Sequence, residues 1–469
     1  MAKPKSTRVL IATVILGTVL NPLDGAMMAA ALPAIRENFA ASAAVTTWLI
    51  TVYYLGGAVA QPIMGRIADQ LGARRVFIGG LLIVVLACIG SQFVPSVEWL
   101  IALRLAQAIG SSVAFPAGLI TIRRSLEHDP AAASRAVGRI TWINSLASVV
   151  GPLIGGLMVE LVGWRGPFLF GIPFALVGAI VAAVVLPADT VQARVAGGPR
   201  MWTRVDAWGA LLLGTVIAAI QLAIVGVGGT ATFVWLGVVA VSAVLLIVRE
   251  RRAKHPFLDT RVLFADATTL AIFVQYMLAN FSFFAVIIAM PSWLQLGRGL
   301  SPLQSGTITF PIAVVGVIAT VTLGRFVYRG AGQWILLGTA LVTLGGAAGF
   351  TGVDQTTSLL LVAILAIVTA APNNLSTFTL QSSLYLRIPT AATGAATGLF
   401  QTFRYMGATL ASTVVGLNLG ASTASGIAAG VHVVMLTALV ASGLALLLAV
   451  ILQPGAAPGA HPRLAGGLT

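Results

Sequence analysis

The chain alternates between long apolar runs and short segments that hold most of its charge. A membrane-spanning helix needs about 20 apolar residues, and fourteen runs meet that length. The alternating pattern of a membrane barrel is absent, so each run must satisfy its own backbone as a helix. The pattern therefore predicts an all-α polytopic membrane protein. Its spans are expected at residues 8–33, 45–65, 76–93, 99–122, 140–160, 167–186, 207–227, 231–248, 268–293, 305–328, 333–352, 358–380, 392–419 and 431–452.

Two basic segments, residues 187–204 and 249–256, interrupt this series in the middle of the chain. The seventh and eighth spans lie between them and form an inserted hairpin. Gly65-Arg66-Ile67 and Gly324-Arg325-Phe326 end the second and the tenth span, as expected of repeated halves. We therefore predict three parts: an N-terminal six-helix bundle at residues 1–186, a linker with the inserted helices at residues 187–265, and a C-terminal six-helix bundle with a short tail at residues 266–469.

The composition supports lipid as the solvent and gives the spans a direction. Only 9% of the residues are charged, against about 25% in soluble proteins. The net charge of +14 would suggest nucleic acid in a soluble protein, but these basic residues lie in short loops. Of the basic residues, only Arg36, Arg165 and Arg298 lie in the predicted outer loops. We therefore expect a monomeric, multi-pass protein of the plasma (inner) membrane with both termini in the cytoplasm, surrounded by lipid and without a nucleic-acid partner.

Metal and disulfide chemistry are not expected. Cys88 is the single cysteine, so an internal disulfide framework and a cysteine-based metal cluster are excluded. The sequence shows no zinc-ligand spacing, phosphate loop or nucleophile elbow.

Of the thirteen acidic residues, only Asp24 lies well inside a predicted span. A charge at the bilayer centre costs about 2.5–3.5 kcal/mol, so it is retained for a partner or a function. Asp24 follows Arg8 by about 24 Å of helix, and Arg104 lies about 7.5 Å below the outer surface. Both fall in the outer third of a core about 30 Å thick. We predict an Asp24–Arg104 ion pair that carries the coupling proton; the alternative is a carboxylate that only bonds neighbouring helices.

Residues 65–75, Gly-Arg-Ile-Ala-Asp-Gln-Leu-Gly-Ala-Arg-Arg, carry the most specific motif. They resemble the G-x-L-A-D-R-x-G-R-[KR] signature of the major facilitator superfamily, with Gln70 in place of the usual basic residue. In that family the loop latches two bundles together on the inner side. The resemblance assigns this role to Gly65, Asp69, Gly72, Arg74 and Arg75. The alternative is an ordinary basic turn that only sets topology.

Further motifs follow in the expected order. Residues 104–110 resemble the family's R-x-x-Q-G-x-G motif, with Ala108 in place of its first glycine. Gly151, Pro152, Gly155 and Gly156 form the core of its antiporter motif, although such small residues also allow close helix packing. Residues 23–33 are similar to a pattern of drug–proton antiporters, with Ala26 and Ala29 in place of its usual Thr and Asn. Residues 164–173 are similar to a pattern of the fourteen-helix branch of these antiporters, from which Gly166 and Gly171 depart.

The resemblance implies a secondary transporter rather than an enzyme. Two bundles would rock about a central cavity, and Asp24 and Arg104 would couple proton entry to the efflux of lipophilic or amphipathic small molecules. The proton gradient would supply the energy, with no cofactor. Packing within the bundle is the alternative role for every polar or soft side chain expected to line the cavity. These are Met27, Met28, Gln107, Asn144, Gln275, Asn280, Asn373, Asn374, Phe378 and Arg404.

Other functions remain open at this stage. An exporter of a lipid or a secreted metabolite, or an uptake carrier, would have the same fold. A membrane-embedded enzyme would need clustered His, Asp or Glu on the inner loops, and those loops hold mostly arginines. A receptor or scaffold that transports nothing is not separated from these by the sequence.

Overall fold

The first half of the computed structural model is a series of long helices. The structure describes residues 7–126, 128–189, 207–225, 230–252, 267–387, 393–419 and 424–451, and every regular element in these ranges is helical. The helices up to residue 185 are α1 Thr7–Thr18, α2 Leu20–Asn38, α3 Ala43–Leu71, α4 Ala73–Gly90, α5 Val97–Ser111, α6 Ala114–Ser125, α7 Pro130–Val162 and α8 Gly166–Val185.

The rest of the described chain continues in the same way. A π-helical turn lies at Trp293–Gly297, and 3₁₀ turns lie at Gly163–Arg165 and Gly324–Arg329. The helices are α9 Ala207–Val225, α10 Thr230–Arg252, α11 Ala267–Ser292, α12 Pro302–Leu323, α13 Gly332–Phe350, α14 Leu359–Ala370, α15 Pro372–Arg387, α16 Thr393–Asn418 and α17 Ala424–Ile451. Eleven helical stretches of the described chain are long and apolar enough to cross a membrane.

Several helices extend beyond the predicted spans, among them the helices that contain the ends of the first and second spans. The first span was expected to end at Pro33, but α2 continues through it to Asn38. Proline is tolerated inside membrane helices because neighbouring groups satisfy the freed carbonyls. The second span was expected to end at Gly65, but α3 continues to Leu71. The motif at residues 65–75 is therefore mostly helix, and only Gly72, with φ at +103°, makes the turn.

Helices pack on one another within each half of the chain and also between the two halves. In the first half, α2 packs on α7 and α4 on α8. In the second, α11 packs on α16 and α13 on α17. The two halves meet along α7 with α12 and along α3 with α16, and α9 lies against both α3 and α16. The structure describes the predicted linker, residues 187–265, only in part, so the division into domains stays a prediction.

Polar contacts join the halves at the face opposite the one where α1 begins and α17 ends. Arg36 donates to the carbonyl of Leu419 over 3.0 Å, near the ends of α2 and α16. Ser301, at the start of α12, donates to Glu160 over 2.7 Å, near the end of α7. We call the face that carries these contacts the closed face, and the face at which α1 begins and α17 ends the terminal face. A rocking two-bundle transporter closes one of its two faces in each end state.

Candidate functional site

A buried ion pair joins α2 to α5. Arg104 Nη1 lies 2.5 Å from Asp24 Oδ2. Arg104 is 0% exposed and Asp24 is 7% exposed. The pair predicted from the depths of the two residues along their helices is therefore present, while its role in proton coupling stays a prediction.

Arg104 also has partners other than the carboxylate. Its Nη1 donates to Gln107 Oε1 over 2.6 Å, and its Nε donates to the Leu49 carbonyl over 3.3 Å. The guanidinium lies 4.1 Å from the centre of the Tyr53 ring, within the range of a cation–π contact. If Asp24 took up a proton, Arg104 would keep these interactions. The arrangement can therefore exchange a proton without leaving a bare buried cation.

A small hydrogen-bonded cluster connects the ion pair to a cavity. The Tyr53 hydroxyl donates to the Asn21 carbonyl over 3.1 Å and lies 3.1 Å from Ser111 Oγ. The Asn21 amide donates to the same Ser111 oxygen over 3.0 Å. Asn21 and Ser111 both line the cavity, whereas the ring of Tyr53 rests on Arg104. A single layer of side chains thus separates the cavity from the ion pair. Sequence reasoning missed Tyr53, because no spacing relates it to Arg104.

The cavity lies between the two halves and has a volume of about 150 Å³. It is on the terminal-face side of the ion pair, since its wall includes Thr18 and Asn21, which precede Asp24 on the helical path from the terminal face. Five of the side chains expected to line a substrate cavity do so. These are Asn144, Asn280, Asn373, Asn374 and Arg404.

The other five expected residues lie elsewhere. Met27 and Met28 are 1% and 0% exposed, packed among neighbouring helices, and form no wall of the cavity. Gln107 holds Arg104 and donates to Cys88 Sγ over 3.1 Å. Arg104 and Gln107 are three residues apart on α5, so helical spacing could have predicted this contact.

Gln275 and Phe378 are also outside the cavity. Gln275 lines a separate space of about 20 Å³ within the second half, behind Asn373. Phe378 lies beside Gly324, where an added Cβ would be 3.1 Å from its ring. The expected wall of Met27, Met28 and Phe378 is therefore absent from this state.

The expected latch contains an acid that sequence reasoning did not assign to it. Asp189 accepts from the backbone nitrogens of Arg74 and Arg75 over 3.1 and 3.2 Å. These are the first free N–H groups of α4, where a helix favours an anion. Gly72 makes room for that carboxylate, because a Cβ there would overlap it. The side chain of Asp69, and with it the expected role of Asp69 as a latch, lies outside the described residues.

The expected antiporter motif brings α7 close to two helices. A Cβ at Gly155 would be 2.7 Å from both Cα and the carbonyl oxygen of Met27 on α2. One at Gly156 would be 2.9 Å from the carbonyl carbon of Pro302, at the start of α12. Gly151 and Pro152 continue the same two contacts, with Leu23 and Gly306 respectively. The glycines thus permit backbone contact both within the first half and across the closed face.

The sequence of this chain matches a known family of membrane proteins. The model of the Major Facilitator Superfamily matches residues 14–412. The chain belongs to this superfamily of transporters. It is 30% identical to the uncharacterized MFS-type transporter YwoD of Bacillus subtilis over 426 residues, which cover 90% of this chain and 92% of YwoD. It is 27% identical over 432 residues to MdtD of Escherichia coli, whose name describes a multidrug resistance protein, with 89% and 87% of the two chains covered.

Solved structures agree on the fold. The nucleoside transporter NupG superposes with a TM-score of 0.62 at 15% identity, covering 95% of this chain and 98% of NupG. The xylose transporter XylE of Escherichia coli superposes with a TM-score of 0.63 at 14% identity, covering 96% and 98%. At these identities the likeness establishes the all-helical transporter fold alone.

Proposed function

We propose that this member of the superfamily is a proton-coupled exporter of amphipathic small molecules that works by alternating access. The observation that carries the proposal is the buried Asp24–Arg104 pair beside the cavity. A carboxylate kept in the membrane interior is retained for a purpose, and Asp24 has both a partner and a nearby polar route to the cavity through Tyr53 and Ser111. The name of MdtD is consistent with efflux.

Proton binding and substrate transport would be coupled because a proton and Arg104 compete for the carboxylate of Asp24. When Asp24 is ionised, Arg104 binds it and holds α2 against α5. When Asp24 is protonated, that attraction is lost, and Arg104 stays bound to Gln107 and the Leu49 carbonyl. Protonation therefore changes the relative stability of the two end states, and substrate binding in the adjoining cavity changes it as well. Two ligands that bias the same equilibrium are linked, so each alters the binding of the other.

The proposal also includes the orientation of the protein in the membrane. Because the basic residues concentrate on the terminal face, we place that face and both termini in the cytoplasm of a cell with a plasma (inner) membrane. The structure would then be the inward-facing state. Counting α7 and α8 separately, and adding α9 and α16 to the eleven candidate spans, gives fourteen crossings. This number supports the fourteen-helix branch, with α9 and α10 as the inserted hairpin.

The test is proton-driven transport by the purified protein in proteoliposomes. A panel of amphipathic compounds is screened for those that evoke proton flux, reported by a trapped pH-sensitive dye. Asp24→Asn should abolish both this flux and uphill accumulation under an imposed pH gradient, because a neutral amide cannot exchange the proton. Glu37→Gln is the matched control, since it removes an exposed carboxylate from the same helix. Undiminished uphill transport by Asp24→Asn would refute the proposal.

A further inference from the structure

Among the described residues, the wall of the cavity carries one positive charge and no negative one. Arg404, on α16, is the only charged residue among these lining side chains. Asp24 lies beyond that lining and is bound by Arg104 at 2.5 Å. From residue 267 onward the chain has a single acid, Asp354, which lies in an exposed loop at the closed face. Within the described part of the chain, the titratable side chains near enough to Arg404 to influence it electrostatically are those of Tyr53, Tyr54, Tyr276 and Tyr405.

An arginine in that setting has unused binding capacity. A guanidinium offers five N–H donors in a fixed fork that fits a carboxylate in two-pronged fashion. No hydrogen bond or ion pair is found between Arg404 and the other described residues, which contrasts with the several partners of Arg104. A charge at membrane depth without a partner is the usual mark of a substrate or ion site.

The amides of the cavity add further donors. Gln61 Oε1 accepts from the Tyr405 hydroxyl over 3.1 Å, and Asn144 Oδ1 accepts from the Thr18 hydroxyl over 3.1 Å. Since the oxygen of each amide already has a donor, the NH₂ group of each remains for an acceptor. Gln61 and Asn144 both line the cavity, as does Arg404.

The wall also offers apolar surface. The rings of Tyr276 and Phe400 are stacked with their centres 3.6 Å apart, and both line the cavity together with Phe115 and Phe283. Such a surface suits the carbon body of a small molecule, while a few polar groups fix its orientation.

From these features we infer that the cavity binds a small organic monoanion, with its carboxylate on Arg404, acceptor groups on Gln61 and Asn144, and its apolar body against Phe400. The inference rests on the proposed transport function and names its class of substrate. One arginine balances one carboxylate. A phosphate monoester, with a charge of about −1.5 to −2 at pH 7, would leave excess negative charge in the cavity. A lipophilic cation would meet Arg404 with like charge and is therefore not favoured.

The test is ligand-dependent thermal stabilisation of the purified full-length protein in nanodiscs. The probes are matched sets on the same small aromatic and aliphatic scaffolds: carboxylates, the corresponding carboxamides, and the corresponding amines. Stabilising compounds are expected among the carboxylates. Arg404→Gln should weaken their binding by about 10- to 100-fold, the range for a lost hydrogen bond to a charged group. Arg404→Lys should restore part of the loss. Arg325→Gln is the control, because Arg325 is exposed outside the cavity.

Three results would overturn the inference: stabilisation by amines or carboxamides in place of carboxylates, carboxylate binding that survives Arg404→Gln, or no stabilising carboxylate at all. If Arg404→Gln does not fold, phenylglyoxal labelling of Arg404 in the native protein replaces it, and active carboxylates should protect that residue. Failure of the transport proposal looks different. Carboxylates would still bind, but no pH gradient would drive their accumulation.

Discussion

A methyl group added at Gly306 should open the closed face. Gly306, on α12, faces the backbone of α7, and its Cβ would lie 2.6 Å from the Pro152 oxygen. Ordinary contact begins at 3.4 Å, so the helices would have to separate by about 0.8 Å, the difference between the two distances. The obstacle is backbone, so no side-chain rotation relieves it. The strain belongs only to the state in which α7 and α12 touch.

The size of the effect follows from that restriction. Overpacking a well-packed contact costs roughly 1–3 kcal/mol, which corresponds to a shift of about 5- to 150-fold in a two-state equilibrium. Replacing glycine by alanine inside a helix otherwise favours the helix by about 1 kcal/mol. We therefore expect Gly306→Ala to fold normally and to populate the state open at this face.

The assay is a distance measurement between spin labels on the two halves at this face. Asn38, at the end of α2, and Gln355, between α13 and α14, are both exposed. Labels there, in a variant in which Cys88 is replaced by alanine, should move apart in Gly306→Ala. Gly338→Ala is the matched control, because nothing lies within 4 Å of its added Cβ. The same label pair is also measured in the wild-type protein across a range of pH, to show that it reports movement of the two halves. An unchanged distance distribution in Gly306→Ala would refute the reasoning.

Two further predictions concern the ion pair and the turn at Gly72. Tyr53→Phe keeps the ring on Arg104 but removes the hydroxyl that bonds Asn21 and Ser111. The proton flux evoked by active compounds should therefore fall, while the binding of these compounds persists. Equal proton flux in Tyr53→Phe and wild type would contradict a proton route through this hydroxyl. Gly72→Ala should lower the free energy of unfolding by about 1–3 kcal/mol. The loss should exceed that of Gly330→Ala, because both glycines have positive φ but only Gly72 also contacts a carboxylate, that of Asp189. Equal losses in the two variants would remove Asp189 from the explanation.

The sequence was sufficient for those features that depend on local pattern or on depth. Apolar runs predicted the helices, and counting residues along two antiparallel helices placed Asp24 and Arg104 at one depth, where the structure pairs them. The small residues Gly155 and Gly156 predicted close packing, which is present. Each of these inferences needs only the rise of a helix or the size of a side chain.

The sequence did not reveal which side of each membrane-spanning helix faces the cavity. Met27 and Asn144 were both expected in the cavity, yet only Asn144 faces it. The hydropathy of these spans is high on all sides, so periodicity does not reveal which face looks inward. Contacts between distant segments were equally inaccessible: nothing near residue 72 indicates that Asp189 will occupy the start of α4.

The proposed coupling between proton and ligand would have to cross from one half of the protein to the other. The ion pair belongs to α2 and α5, whereas Arg404 belongs to α16. The two are connected where α3 meets α16. There the Tyr405 hydroxyl donates to Gln61, and the ring of Tyr54 lies 5.8 Å from both Tyr53 and Tyr405. Because Tyr53 contacts Arg104, a ligand that draws Arg404 and Gln61 together would press on the same row of tyrosines that supports the ion pair. Proton release and ligand binding would then share one interface, the one between α3 and α16.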